Sequence, residues 1–316
     1  MLSLYDSSTP PSQWISIFSR EEGLETAYTH NMTATLIASK NGTEIIHHRL
    51  ARIGTMGITP AADWNELESF YLLTGSLRVT YGNETSILYP GDKLVAAPVH
   101  EHVCIVAIED SEFLYVSSAP VFQTYRESID GFHELAVQIA LKDGYTASHC
   151  ERIRRYSLMI GCELNLNATD LLSLSCGALF HDIGKIRIPD EILMKPGKLT
   201  PEEFDIIKQH TIFGRDIMNS PENPFLNIGS KVAEQHHERY DGSGYPYGLK
   251  RDEIYLPAAI VAVVDSYDAM VSNRPYQTAR KKADAVREIA SLSGKLYDPR
   301  VVDAFLKVVD TFVDED

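Results

Sequence analysis

The first third of the chain carries short apolar runs, and the remainder carries long amphipathic ones. From about Ser16 to Ser118, β-branched and aromatic residues cluster between turn signals such as Asn41-Gly42 and Gly82-Asn83. These runs predict strands at residues 34–37, 44–46, 70–73, 77–81, 86–89, 103–108 and 113–116. Many short strands at close spacing predict a small barrel or jelly roll.

Beyond Ala119-Pro120 the apolar residues recur at helical spacing. One helix is predicted to open at Thr200-Pro201-Glu202-Glu203, where a capping threonine, a first-turn proline and a glutamate form a capping box. We therefore predict an all-β domain over residues 1–120 and an all-α domain over residues 121–316. The predicted helices lie at 125–141, after residue 146, from about 169 to 181, from 200 through 210, up to 237, at 258–270 and at 301–309.

Composition supports two domains and narrows the range of partners. A chain of 316 residues exceeds the usual size of one compact core. Its net charge of -15 argues against nonspecific nucleic-acid binding and against an anionic membrane surface. The amino terminus lacks the features of a signal peptide, and no apolar run reaches the roughly 20 residues that a membrane helix needs. We expect a cytoplasmic protein.

Ionisable residues recur inside or at the ends of the apolar helical patterns. Burying such a group is costly unless it is paired or bound to a metal ion. One such histidine is usually a core residue with its hydrogen bonds satisfied, but imidazoles and carboxylates together are the ligand set of divalent iron, manganese or zinc. The candidate metal ligands are His149, His181, Asp182, His210, His236, His237 and Asp265.

Two of these candidates are adjacent and open the stretch HHERYDGSGYP at residues 236–246. Neighbouring side chains on a helix diverge by about 100°, so paired histidines suit two ions that lie side by side. The glycines allow the chain to leave the helix at once, and Pro246 restricts the exit. Two solvated histidines before an ordinary turn is the alternative for this stretch taken alone.

Several ordered motifs together resemble the HD-GYP domain. They are HDIGK, KQHTIFG, HHERYDGSGYP and VVDSYDAMVSNRPY, supported by ILMKPGKLTPEEF and LYDPRVVDAF, and they extend over about residues 125–312. Proteins of this helical, metal-dependent family hydrolyse cyclic di-GMP. The resemblance therefore implies a phosphodiesterase that yields linear pGpG, GMP or both.

The resemblance also suggests roles for the candidate ligands. Asp182 would bridge two ions, with His149, His181 and Asp265 completing one site and His210, His236 and His237 completing the other. Two ions side by side can hold a hydroxide for in-line attack on phosphorus. We expect iron or manganese, with nickel or zinc as alternatives, because the same ligands accept all four metals.

Further residues are expected to contact the substrate. Lys185 is placed to reach the phosphate that is cleaved, so Asp182 and Lys185 are the predicted catalytic residues. Arg274 would hold the other phosphate, and Tyr245 would bond a phosphate or flank a guanine. Tyr145 stands where some family members carry a glutamate for a third metal ion, so we predict two ions. Gln277 stands where a basic residue often helps to hold phosphate, and affinity or the second cleavage could be weaker as a result.

The amino-terminal third resembles a cupin domain, from Glu68 and Gly75 through Pro90-Gly91-Asp92 to His100 and His102. Metal-binding cupins carry an HxH pair before the glutamate, whereas this chain has Ala61 and Asp63, so no cupin-type metal site is expected. His100 and His102 are interpreted as polar residues at a strand entrance, and His47 and His48 as exposed strand residues. We expect a sensory pocket for a small molecule or an oligomerisation module, and a homodimer.

The sequence leaves three hypotheses for the function. In the leading hypothesis, the cupin-like domain regulates a cyclic di-GMP phosphodiesterase through the predicted helix at residues 125–141. The alternative is a catalytically weak sensor, or a docking module for a diguanylate cyclase partner, although such a protein would be expected to lose ligands. A general HD-type nucleotide phosphohydrolase is disfavoured by the GYP loop and the RPY segment.

Overall fold

The computed structural model describes residues 23–60, 63–143, 147–221, 226–272 and 279–312. The chain divides into two units, Met1–His133 and Glu134–Asp316, which we call the β unit and the helical unit. Within these residues the last strand ends at Ser117 and the first helix begins at Phe122, so the all-β and all-α assignments of the two halves are confirmed. The domain boundary at residue 120 stays a prediction.

The β unit consists of two antiparallel sheets. The first has the strand order β1-β2-β3-β10-β5-β8, and the second has the order β4-β9-β6-β7. The strands are β1 Glu25–Tyr28, β2 Met32–Lys40, β3 Thr43–Leu50, β4 Thr55–Ile58, β5 Glu68–Thr74, β6 Leu77–Tyr81, β7 Glu84–Leu88, β8 Lys93–Ala96, β9 Val103–Ala107 and β10 Ser111–Ser117.

The two sheets share one hydrophobic core. Ile46 and Phe113 of the first sheet and Val79 and Ile105 of the second belong to the same buried cluster. Burial alternates along β3 and β10, as expected for strands with one face on a core. All seven predicted strand segments are confirmed, whereas β1, β4 and β8 were not predicted, because they are short and carry few consecutive apolar residues.

His48 corrects one expectation from the sequence. Its side chain is not exposed on β3 but 1% accessible, and its ring stacks on Phe113 at 4.9 Å. Neither imidazole nitrogen has a hydrogen-bond partner among the residues that the structure describes. Burial, followed by the charge of His47, lowers the pKa of His48 to about 3. His47 was also expected to be exposed but is half-buried and lies 3.1 Å from Glu112, whereas His100 is exposed.

The described α-helices run from Phe122 to Val308, and all but the first lie entirely within the helical unit. In the described residues, no helix combines the length and the hydropathy of a membrane span. Helix α1 begins in the β unit, where Phe122 and Ile129 are buried in its core. The helices are α1 Phe122–Asp143, α2 Ala147–Glu163, α3 Ala168–Phe180, α4 Asp190–Leu193, α5 Pro201–Lys208, α6 His210–Met218, α7 Ser230–Gln235, α8 Leu256–Val271, α9 Lys282–Ser291 and α10 Pro299–Val308.

Helix α8 is the central element of the helical unit. Residues 257–264 are buried around its whole circumference, as expected for a helix surrounded by others. It packs against α2, α3, α7, α9 and α10. A helix held on all sides positions its side chains rigidly, and α8 carries the candidate ligand Asp265.

Most of the predicted helices are present, with small differences at their ends. The capping box of α5 is confirmed, since Thr200 Oγ1 accepts from the Glu203 N–H and the Glu203 carboxylate accepts from the Thr200 N–H. The predicted helix through His210 is interrupted at Gln209, so His210 begins α6. Helix α7 ends at Gln235, one residue before the histidine pair. Helices α4 and α9 were not predicted.

Gly184 allows the turn after α3 to lie directly against α6. This turn is a 3₁₀ helix at Ile183–Arg187. A Cβ atom on Gly184 would lie 1.8 Å from the carbonyl oxygen of His210 and 2.4 Å from the nitrogen of Gly214. Only glycine permits this backbone approach. It brings the residues that precede the turn close to His210.

Candidate metal centre

The seven candidate ligands, far apart in sequence, lie together in the helical unit. They form two groups in which the potential ligand atoms lie within 4.8 Å of one another. The first group is Asp182, His210, His236 and His237, and the second is His149, His181 and Asp265. The three histidines of the first group and the three residues of the second are the same sets that the sequence assigns to separate ions, with Asp182 grouped here with the first set.

Three of the histidines occupy equivalent positions at the ends of helices. The Nδ1 atoms of His181, His210 and His236 lie 2.9, 2.7 and 2.8 Å from the carbonyl oxygens of Ala178, Ile207 and Ala233, each three residues earlier. The last carbonyls of a helix lack partners within the helix, so Nδ1 donates to them. In the neutral imidazole, the form that binds a metal ion, the Nε2 atom is then left as an acceptor with a free lone pair.

These Nε2 atoms converge on the carboxylate of Asp182. Asp182 Oδ1 lies 3.4 Å from His210 Nε2 and 3.8 Å from His236 Nε2, while Oδ2 lies 3.3 Å from His181 Nε2. Within the described part of the chain, the buried atoms His181 Nε2 and Asp182 Oδ1 make no hydrogen bond. Electron-rich atoms that face one another without a shared proton repel unless a cation lies among them. The arrangement therefore fits divalent metal ions held by imidazole and carboxylate.

The pKa shifts describe a buried site with mixed charge. Burial, followed by the charge of neighbouring histidines, holds the pKa of His236 and His237 well below the usual range. Burial alone would lower the pKa of His181, but the carboxylates of Asp182 and Asp265 raise it to about 9. Burial would raise the pKa of Asp182, but Lys185 and His181 hold it well below its usual range. Neutral His236 and His237 are in the form that binds metal.

His149 is oriented by a buried carboxylate that the sequence analysis did not single out. Its Nδ1 atom lies 2.7 Å from Asp268 Oδ2, and its Nε2 atom lies 4.0 Å from Asp265 Oδ1. Arg152 donates to the same carboxylate at 2.8 Å. Burial alone would raise the pKa of Asp268, but the hydrogen bonds from His149 and Arg152 lower it to about 2. Asp268 thus fixes the direction in which His149 presents Nε2.

Replacing Asp268 by asparagine is expected to weaken binding of one metal ion by about 10- to 100-fold, the usual effect of removing a carboxylate that orients a ligating histidine. Competition with a chelator, followed by metal analysis, measures the change. Asp303→Asn, at an exposed carboxylate on α10, is the matched control. Equal metal affinity in the Asp268→Asn variant and the wild type would remove this orienting role.

The glycine-rich loop after the histidine pair is held by its own residues. Both carboxylate oxygens of buried Glu238 accept backbone N–H groups, from Tyr247 at 2.8 Å and from Leu249 at 3.0 Å. A Cβ atom on Gly244 would lie 2.3 Å from the nitrogen of Arg239, so the loop folds tightly on itself. Asp241 accepts the Ser243 N–H at 2.9 Å and so caps the loop.

The predicted substrate-contacting residues are only partly described. The Lys185 ammonium lies 2.7 Å from Asp182 Oδ2, and the Tyr245 ring stacks on His237 with centroids 4.7 Å apart. Both side chains therefore border the ligand groups. Arg274 and Gln277 lie outside the described residues, as does Tyr145.

A model of the HD domain family matches residues 135–301, more than half of the chain. The chain belongs to the HD domain family. The matched region contains all seven candidate ligands and both of their groups.

Curated relatives of this HD domain protein include cyclic dinucleotide phosphodiesterases. A cyclic di-GMP phosphodiesterase of Thermotoga maritima is 51% identical over 173 residues, which cover 55% of this chain and 47% of that protein. The cyclic di-GMP phosphodiesterase response regulator RpfG of Xanthomonas campestris is 39% identical over 201 residues, covering 64% and 52%. The 3'3'-cGAMP-specific phosphodiesterase 2 of Vibrio cholerae is 30% identical over 181 residues, covering 57% and 35%. The chain spans about half the length of the first two relatives.

Solved structures that resemble part of the chain include KdgF from Halomonas sp., with a TM-score of 0.30, 20% identity and coverage of 34% of this chain and 99% of that one. An RmlC-like cupin from Shewanella frigidimarina has a TM-score of 0.30 and 14% identity, with coverage of 35% and 96%. These low scores add nothing to the fold assignment, which rests on the strands and helices themselves.

Proposed function

We propose that the helical unit is a metal-dependent phosphodiesterase that hydrolyses cyclic di-GMP to pGpG, GMP or both. The observation that carries the proposal is the pair of ligand groups with the Asp182 carboxylate facing histidines of both. The names of the curated relatives support a cyclic dinucleotide as the substrate.

Two divalent ions, iron or manganese with nickel or zinc as alternatives, would supply a water-derived nucleophile and offset the negative charge that develops at phosphorus. His149, His181 and Asp265 would hold one ion, and His210, His236 and His237 the other. Asp182 would contact both, because its two oxygens face different histidines. The burial of most of these ligands excludes bulk water, which strengthens their electrostatic interactions.

Lys185 and Tyr245 would position the phosphate and one base. The Lys185 ammonium is close enough to Asp182 to donate to a phosphate oxygen at the ions without leaving the site. The Tyr245 ring, stacked on His237, would flank a guanine or donate its hydroxyl to a phosphate. Burial raises the pKa of Tyr245, so its hydroxyl keeps its proton at neutral pH and can donate. Arg274 and Gln277 are proposed as further phosphate contacts.

The proposal is tested with purified full chain reconstituted with Mn²⁺ or Fe²⁺ under reducing conditions. Cyclic di-GMP and 3'3'-cGAMP are incubated separately, and the products are resolved by chromatography. We expect cyclic di-GMP to be cleaved faster, with pGpG preceding GMP. If only 3'3'-cGAMP is cleaved, the proposed substrate becomes 3'3'-cGAMP and not cyclic di-GMP. A protein that binds no metal and cleaves neither would favour a docking module for a diguanylate cyclase.

We also propose that the β unit binds a small molecule and regulates this activity through α1. We further propose that the protein is a homodimer. The N–H groups of Val121 and Phe122 at the start of α1 both donate to the buried carboxylate of Glu44 at 2.8 Å. A rearrangement of β3 would therefore act directly on the amino-terminal end of α1. Comparing turnover in the wild type and a Glu44→Gln variant tests this link.

A further inference from the structure

Helix α5 presents an aromatic side chain to solvent beside the metal centre. None of the residues of α5 is buried, and Phe204 on this helix is 44% exposed. Its ring meets the edge of the Tyr245 ring at 6.4 Å. Tyr245 in turn stacks on His237 at 4.7 Å. A continuous row of rings therefore runs outward from a ligand group to the surface.

A lysine lies beside the same row. Lys208 is four residues after Phe204, so both project from one face of α5. Its Nζ atom lies 4.9 Å from the centre of the Phe204 ring and 6.0 Å from that of Tyr245. The ammonium also contacts Asp205 at 2.8 Å but remains partly exposed. An accessible cation and an accessible aromatic ring therefore lie together at the border of the site.

The amino-terminal turn of helix α5 is held in place by capping and by an ion pair. Its first turn is closed by the capping box of Thr200 and Glu203, and the Glu203 carboxylate also binds Lys195 at 2.7 Å. A backbone segment that is already ordered loses less conformational entropy when a ligand binds to its side chains. Removing the exposed phenyl ring of Phe204 from water is favourable, so a ligand that covers this ring would bind more tightly.

We propose that Phe204 and Lys208 form a purine-binding wall, in which Phe204 stacks one base of the cyclic dinucleotide and Lys208 attracts its anionic phosphates. This inference rests on the proposed function and extends the site beyond Tyr245. Aromatic rings stack on nucleobases with little dependence on base identity. The wall therefore contributes affinity for the dinucleotide, while the residues at the ions carry out hydrolysis.

Phe204→Ala is expected to raise KM for cyclic di-GMP by about tenfold, as loss of one base stack does, with kcat unchanged. Phe204→Trp should restore the wild-type KM, because it keeps an aromatic face. Ile206→Ala is the matched control, since Ile206 is an exposed apolar residue of α5 that projects about 200° away from Phe204. Metal content should be equal in all variants.

Lys208→Met is expected to raise KM about threefold at low salt and to make KM less dependent on ionic strength. Lys231→Met is the control, because the Lys231 ammonium lies 4.8 Å from the ring of a different tyrosine, Tyr255. An unchanged salt dependence in Lys208→Met would remove the electrostatic role of this lysine.

Binding of cyclic di-GMP to the metal-loaded proteins, measured by titration calorimetry, separates this inference from the proposed function. A wild type that binds but does not hydrolyse cyclic di-GMP would overturn only the proposed hydrolysis. Equal dissociation constants for the wild type and Phe204→Ala would overturn the wall even if hydrolysis is observed. A wild type that binds no cyclic di-GMP would overturn both.

Discussion

Asp182→Asn is expected to lower hydrolysis by about 10³-fold or more and to leave the protein with fewer bound metal ions than the wild type. The Asp182 oxygens face His181 on one side and His210 and His236 on the other, so its loss affects both groups. An ion that stabilises transition-state charge contributes several kcal/mol, and about 1.4 kcal/mol corresponds to a tenfold change in rate. An amide nitrogen at this position would also place a donor where a cation should bind.

Metal analysis and turnover of cyclic di-GMP, measured on the same preparations, test the Asp182 prediction. Asp190→Asn is the matched control, because Asp190 is an exposed carboxylate of the same unit whose partner is Lys142. Its metal content and turnover should equal those of the wild type. An Asp182→Asn protein with full metal content and wild-type turnover would contradict a bridging role.

Acid is expected to destabilise the β unit through His48, by about 3 kcal/mol between pH 7 and pH 4. The pKa of His48 falls from 6.5 to about 3 in the folded protein because the ring is buried. Below pH 6.5 the unfolded chain therefore binds a proton that the folded chain excludes. The contribution of neutral His48 to the free energy of unfolding is therefore complete above pH 6.5 and is lost progressively as the pH falls toward 3.

His48→Phe should remove most of this loss, since a phenyl ring can stack on Phe113 and does not titrate. His48→Leu provides a smaller apolar replacement if the larger ring overfills the core. Denaturant unfolding of the full chain at pH 7 and pH 4, followed by tryptophan fluorescence, measures the effect, because Trp64 belongs to the β unit and the sequence of the helical unit contains no tryptophan. His100→Ala, at an exposed histidine, is the control. Equal acid losses in His48→Phe and the wild type would contradict the prediction.

Local patterns predicted much of the fold. The turn at Asn41-Gly42 has positive φ at both residues and joins β2 to β3, and the capping box at Thr200 starts α5 as predicted. These features depend on residues within a few positions of one another. The short strands β1, β4 and β8 and the helices α4 and α9 carry weaker local patterns, so their presence depends on the neighbours they pack against.

For the candidate site, the sequence identified which residue types could bind metal but not every residue that supports them. The motifs supplied all seven candidate ligands. Asp268 was not identified as an orienting residue, because its partner His149 lies 119 positions away and nothing in the local pattern of α8 distinguishes it from an ion-paired core aspartate. Phe204 was not identified either, because the sequence does not show that its ring lies beside Tyr245 and Lys208.

The sequence by itself therefore determined the all-β and all-α halves and the chemical character of the centre, since hydrophobic period, capping residues and ligand types are all read locally. Only the tertiary structure decided that His48 is buried, that Asp182 faces histidines of both groups, and that Phe204 and Lys208 border Tyr245. Each of these depends on packing between elements distant in sequence, where contact distances and loss of water decide which groups interact and how strongly.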